Sequence, residues 1–403
     1  MKNLIFFDDD NWKALLPLTY TRPICELRIG ILTIKEKWEA LLHGKGSYIT
    51  QDYLSEKFGL IIEDDNYLIN STLLPNPELL ELIYKLEINE VLTYNDELLV
   101  GRLSKNQMNN LGKGYEGEKL AGIDISNRPE IIKNISKPHH IFSCNASEIE
   151  RDFELLTKNR TSQPIPDHVL VLGDRSKIFI EEGAIIHNHS LNATKGSIYI
   201  GKNAELMEGS MLQGPISIGE GSTVKMGAKM YGETTIGPHC KVGGEVGNSV
   251  LMGYSNKGHD GYLGNSVLGE WCNLGADTNN SNLKNNYSEV KLWSYDTEKF
   301  ELTGLQFCGL IMGDHSKTGI NTMFNTGTVV GVSANIFGDG YPRNFIPSFS
   351  WGGSSGFKTY KVEQMLDVAA TVMKRRSIDL EEMDKKILEY VYYHSAIYRT
   401  WEK

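Results

Sequence analysis

Between Ile200 and Val242 an aliphatic or methionine side chain recurs at every sixth position: Ile200, Leu206, Leu212, Ile218, Val224, Met230, Ile236 and Val242. Glycine and small polar residues fill the intervals, as in Ile218-Gly-Glu-Gly-Ser-Thr. A period of six suits neither the 3.6-residue helix nor the two-residue strand. It suits a coil with three short flat faces, each sending one side chain inward, which is a hexapeptide-repeat parallel β-helix, expected here to be left-handed. The solenoid is expected to start near Val169. Its phase slips by two residues after Val242 and resumes at Val250, Leu268 and Leu274. A loop without repeat is expected over 279–303, and the repeat returns at 310–337.

The chain has 403 residues, enough for two or three domains. Ahead of the solenoid, apolar runs at 4–7, 67–69 and 90–94 read as strands. Patterns at 29–42 and 78–86 read as helices. The alternation predicts an α/β domain with a mostly parallel sheet over 1–140, with a polar surface insertion over 104–117. A linker helix is expected over 141–166 and the β-helix over 167–345. A C-terminal extension over 346–403 is expected to place a helical cap on the last coil.

Net charge is −10 without long basic runs, so no nucleic-acid partner is expected. The five cysteines form no CxxC pair and read as reduced thiols. The apolar start at 4–7 is too short for a signal peptide, and Asp8-Asp9-Asp10 follows it at once. No stretch approaches the roughly 20 apolar residues of a membrane span. The expectation is a cytoplasmic protein without a membrane partner.

The string Ser255-Asn-Lys-Gly-His-Asp-Gly-Tyr-Leu-Gly, followed by Asn273-Leu-Gly-Ala-Asp, resembles the acetyltransferase half of a bifunctional family. That family joins N-acetylglucosamine-1-phosphate uridylyltransferase to glucosamine-1-phosphate N-acetyltransferase. The resemblance spans about 229–328 and implies acetyl-CoA as donor, an amino-sugar phosphate as acceptor and a homotrimer. It puts His259 at the catalytic base, with Asn282 beside it. Tyr262, Asn273 and Lys229 fall on sugar and phosphate contacts, and Lys291 on a loop lysine. Gly247 stands where the family has a phosphate-binding lysine, so Lys225 or Lys241 must substitute. Independently of family, acetylating an amine needs a group of near-neutral pKa to take its proton, and histidine is suited to that. The oxyanion formed at the thioester needs donors aimed at it in advance. Coenzyme A is expected in a groove over Gly319, Gly327 and Gly331, with Lys358 and the run Lys374-Arg375-Arg376 as phosphate ligands.

The dense string Leu15-Leu-Pro-Leu-Thr-Tyr-Thr-Arg-Pro-Ile-Cys-Glu-Leu-Arg resembles the N-terminal segment of a variant branch of the same family, described as sugar nucleotidyltransferase-like. The glycine-rich nucleotide loop of the common form is absent, and Asp8-Asp-Asp-Asn-Trp stands in its place. The family's magnesium-binding aspartate falls at Ser71. Arg22, Arg28 and Lys37 are candidates for phosphate binding, of UTP or a sugar phosphate. Asp8 and Asp96 are candidates for Mg2+. Two alternatives stand beside this reading. One is a trimeric metal hydratase using His187, His189, His239 or His259. The other is a sugar-nucleotide-binding protein with an inactive N-terminal domain.

Overall fold

The computed structural model describes residues 1–111 and 120–402 and separates into two compact units. The first comprises Met1–Leu15, Arg22–Leu27 and Leu32–Ser136. Its six-stranded sheet runs Gly44–Ile49, Lys2–Phe7, Asp65–Asn70, Glu97–Ser104, Glu90–Tyr94, Ala121–Asp124. The first three strands are parallel, but Glu97–Ser104 is antiparallel to both of its neighbours. Glu90–Tyr94 and Ala121–Asp124 are parallel again, so the sheet is mostly parallel, with Glu97–Ser104 reversed. Asn95 and Asp96 both have positive φ, 48° and 65°, the backbone of a two-residue hairpin turn. That turn folds Glu97–Ser104 straight back.

The helix expected over 29–42 is Ile34–Leu42. Thr33 and Glu36 form a reciprocal capping box that starts it there. Inside, Trp38 is fully buried and its indole N–H donates to the Leu73 carbonyl at 2.9 Å. Of the expected surface insertion, Lys105–Asn110 is a short helix capped by Ser104, and 112–119 lie outside the described residues.

The second unit comprises Leu16–Thr21, Arg28–Ile31 and Lys137–Lys403. It is a parallel β-helix with three faces. Face I starts at Leu170–Leu172 and ladders through Lys229–Met230 to Tyr262–Gly264. Face II has nine strands, from Ile178–Ile180 to Phe345–Ile346. Face III runs from Ile185–Ile186 to Asn256–Lys257 and resumes with Lys317–Thr318 through Ser350–Gly353. The eight residues of the six-residue period are each 2% exposed or less and fall on faces II, III and I in turn. Stacking aliphatic rows one coil above another fills the prism without voids.

After Val242 the next inward residue on face I is Val246, four positions on. On face II, Leu251 is in register with Ile236, so the phase resumes at Leu251 and Val250 joins the outward row with Thr235. The excursion after Asn279–Asn280 contains an antiparallel hairpin, Lys291–Ser294 with Lys299–Leu302. Coiling returns at Leu310–Met312 and continues past 345 to Ser350–Gly353, where Gly356–Thr359 folds back antiparallel.

The outer side of face II carries the helix Pro138–Thr157 and residues 28–31. Gly30 donates to the Asn145 side chain at 2.7 Å and accepts from the Thr235 hydroxyl at 2.8 Å. Ile31 N–H donates to Asp152 at 2.8 Å. Gly30 has φ +78°, and a Cβ there would lie 2.5 Å from the Asp152 carboxylate. Only glycine fits. Ile31, Ile149, Phe153, Phe179 and Tyr199 form the apolar contact.

The C-terminal helices are Val362–Lys374 and Glu382–His394. The first does more than cover the end of the stack. Its 13 residues are about 20 Å long. That matches four strand spacings of about 4.8 Å back along face III. Accordingly the Arg376 guanidinium reaches Asn256 Oδ1 at 3.2 Å. Among the described residues no helix is long and apolar enough to cross a membrane.

Candidate functional site

Face III and the end of the helix Val362–Lys374 enclose a cavity of about 780 Å³. Its lining includes Lys225, Lys241, Lys317, Arg375 and Arg376, and no carboxylate. Like charges crowd one another there. Arg376 holds the Lys241 ammonium below its usual pKa, and burial adds to the effect. Burial likewise lowers Lys317, whose Nζ donates to the His315 carbonyl at 2.8 Å. A cavity lined by five cations and no carboxylate is matched by a ligand carrying several negative charges. Tyr254 and Trp271 supply an aromatic wall, stacked with centroids 4.3 Å apart and planes at 12°.

His259 stands exposed at the edge of this cavity, on the turn between Asn256–Lys257 and Tyr262–Gly264. Asn273 bridges Asn256 and Lys317 in the same wall. Arg375 joins them, whereas Lys358, exposed on the strand Gly356–Thr359, is not among the lining residues.

Tyr262 and Asn282 sit elsewhere. They line a second cavity of about 950 Å³ with Tyr231, Gly247, Asn248 and Asn265. Asn282 Nδ2 donates to the Tyr262 hydroxyl at 2.9 Å and to Asn265 Oδ1 at 2.7 Å. Burial raises the Tyr262 phenol, and the Asn282 bond opposes it. Within one chain, then, Asn282 is not beside His259. The strand Tyr262–Gly264 crosses face I between them, about 10 Å of extended chain. Lys229 is on that face, in register with Glu245 and Tyr262, its Nζ 4.0 Å from the Glu245 carboxylate.

Of the three expected groove glycines, Gly327 and Gly331 are buried under the chain itself, while half-buried Gly319 lies between the cavity residues Lys317 and Ile320. A Cβ on Gly331 would lie 2.3 Å from the Ser348 nitrogen, and one on Gly327 would lie 2.2 Å from the Lys291 carbonyl. Gly319 packs under Phe337. These glycines let backbones approach, and Lys291 belongs to the hairpin lying against Gly327. The lining residues Tyr254, Trp271 and Lys317 were not legible as ligand groups. The available signal was aromatic spacing: His239, Tyr254, Trp271 and His315 form a continuous ring stack, all at positive-φ corner positions of successive coils.

In the first unit Asp8 is held by the Ile24 N–H at 3.0 Å and the Thr50 hydroxyl at 2.6 Å. Burial raises its pKa to about 6 against those bonds. Asp9 accepts from Asn11 and Asn70. Asp96 is a hairpin turn residue, separated from the strand before Asp8 by Asp65–Asn70 and Glu97–Ser104. The pair therefore makes no joint metal site, and among the described residues no three His, Cys, Asp or Glu side chains group as metal ligands. Arg22 and Lys37 are buried. Arg28 belongs to the second unit, where its guanidinium donates to the Met252 carbonyl at 3.1 Å and to the Ile31 carbonyl, which makes it a tether of residues 28–31 and not a phosphate ligand.

Residues 4–161 match the family model described as sugar nucleotidyl transferase. The bifunctional protein GlmU of Methanococcus vannielii is 26% identical over 293 residues, 70% of this chain and 63% of that protein. A bifunctional sugar-1-phosphate nucleotidylyltransferase/acetyltransferase of Sulfurisphaera tokodaii is 33% identical over 145 residues, 36% of each. The chain is thus similar, over residues 4–161 and in longer stretches, to sugar nucleotidyl transferases and to bifunctional sugar-1-phosphate nucleotidylyltransferase/acetyltransferases. The chain spans 21% to 63% of the length of these curated relatives and the GlmU protein of Methanocaldococcus jannaschii. A solved Arabidopsis UDP-N-acetylglucosamine acyltransferase aligns with 55% of this chain and 79% of its own at 15% identity, but its TM-score of 0.25 is too low to bear on the argument.

Proposed function

We propose that the chain is an acetyl-CoA-dependent N-acetyltransferase acting on glucosamine 1-phosphate or a close amino-sugar phosphate. The observation that carries the reading is the acid-free cavity with five cations, an aromatic wall and His259 at its edge. Coenzyme A matches it: phosphates for the cations, a purine for the aromatic wall, and a thioester within reach of the histidine. In the reaction His259 takes a proton from the sugar ammonium, and the free amine attacks the thioester carbonyl. The tetrahedral oxyanion is held by turn N–H groups, and its collapse expels the thiolate, which takes up a proton as the amide forms. A homotrimer is part of the proposal. Each site then draws on two copies, so His259 and the Tyr262–Asn282 pocket need not meet within one chain.

For the N-terminal unit a binding role, to a sugar nucleotide or phosphate, is favoured over nucleotidyl transfer. Asp8 is held by Ile24 and Thr50, and Asp9 by Asn11 and Asn70, at the strand ends where the resembled family's glycine loop and metal aspartate are missing. A cytoplasmic location completes the reading.

The test is coenzyme A release from acetyl-CoA, followed with a thiol-reactive dye, with and without glucosamine 1-phosphate. Sugar-dependent release is expected, and His259→Ala should lower kcat by roughly 10²–10⁴-fold while the oligomer survives gel filtration. Full turnover in that variant overturns the assignment. Pyrophosphate release on adding UTP and Mg2+ would restore transferase activity to the N-terminal unit.

A further inference from the structure

The inward row of face III includes Thr318 and Gly352 among its aliphatic residues, and one coil places a charged side chain there. Lys257 stands in register with Val242 before it, and the following coil carries Leu274 at the next position along the row. Its side chain is 2% exposed, and its Nζ donates to the carbonyl oxygen of His259 at 2.6 Å. An ammonium in an apolar prism is costly unless a partner holds it. The partner here is a corner carbonyl of the turn that carries the candidate base.

The bond reaches the side of the turn that the neighbouring coils do not hold, since their N–H groups go to Asp260 and Gly261. The corresponding corners in other coils close with their own backbone bonds: Ala228 N–H to the Lys225 carbonyl, and Thr278 N–H to the Gly275 carbonyl, both at 3.2 Å. Residues 258–261 have a glycine at each end, and a Cβ at Gly258 would meet nothing within 4 Å. Open space at Gly258 leaves the start of this turn free, whereas its far end is held: Gly261 packs against the Thr278 carbonyl, and the Asp260 carbonyl accepts from Asp277 N–H at 3.0 Å.

We infer that Lys257 is a positioning residue, which holds the His259 turn from inside the solenoid and so fixes where the imidazole stands at the cavity edge. Burial lowers the ammonium to about 8, with Asp260 and Asp277 opposing, so it keeps its proton and its hydrogen bond at neutral pH. The inference rests on the reading of His259 as the base. The clamp itself is a statement about the turn and can be tested without turnover.

Lys257→Met is the decisive variant, since methionine fills similar volume without the donor. Hydrogen–deuterium exchange at 258–261 should quicken about tenfold while the coils above and below stay unchanged. In the release assay kcat should fall roughly tenfold to a hundredfold, as for a misplaced catalytic group, with KM for acetyl-CoA unchanged. Lys257→Gln, which keeps a donor on a shorter stem, should recover part of both. A purely structural lysine predicts the opposite: Lys257→Met at least as stable, with unaltered kcat and local exchange. That result overturns the inference, as does exchange quickened equally in every coil. An active His259→Ala enzyme would instead remove the reading of the base, and the exchange data would still judge the clamp.

Discussion

Replacing Arg376 by alanine separates charge from architecture in the cationic cavity. Arg376 shares it with Lys225, Lys241, Lys317 and Arg375, and it is the largest cause of the lowered Lys241 pKa. Two effects of the substitution oppose each other. A phosphate loses one cation, worth about 1–4 kcal/mol at 4 Å for effective dielectrics between 80 and 20. Lys241, relieved of its neighbour, holds its proton more firmly. Four cations remain, so the net effect sits near the lower end, about 1.4 kcal/mol, or a tenfold weaker Kd for coenzyme A. Uncharged pantetheine should bind as before. The wild-type advantage should shrink between 0.05 and 0.5 M salt, where the screening length falls from roughly 14 Å to 4 Å. Isothermal titration with both ligands at both salt concentrations measures all of this. If coenzyme A affinity is unchanged, or pantetheine loses as much, the cavity does not read charge and the argument fails.

Two further outcomes follow from burial. The folded-state pKa of Asp8 is raised from 3.8 to about 6, so the native protein binds the extra proton in that window. The stability this gives is present below about pH 4 and is lost as pH rises through 6, on the order of 2–3 kcal/mol. Asp8→Asn should flatten the stability profile between pH 4 and 6 in denaturant titrations, and an unaltered slope would show that Asp8 titrates normally. Gly331→Ala should destabilise the solenoid by about 1–3 kcal/mol, because its Cβ would lie 2.3 Å from the Ser348 nitrogen of the next coil. A melting temperature equal to wild type would mean that the coils are free to spread.

The repeat was readable because each face reports one residue per coil, and nothing but an aliphatic side chain fills that spot eight times running. The same logic hid Lys257: a lysine breaks the pattern, so the sequence reads it as solvent-facing when the register turns it inward. Among the charged candidates, Arg28 and Arg375 look alike in sequence. Only their surroundings separate them, backbone carbonyls for one and an unbalanced cation cluster for the other. The resemblance puts Asn282 beside His259, yet face I of the prism lies between them in a single chain. The hairpin at 95–96 escaped because Asp96 was weighed as a metal ligand and not as a turn former.

Residues 28–31 are made long before the surface they rest on. Gly30 accepts from Thr235, 205 positions later, and Thr21 donates to Asp314, 293 positions later. At ordinary ribosome speeds the wait for Thr235 alone is roughly 10–40 s. For that time two short stretches inside the N-terminal sequence have no place to go. Residues 16–21 and 28–31 belong with the solenoid, and they reach their partners only once its middle coils have been translated, so the second unit is assembled from pieces that the ribosome delivers far apart in time.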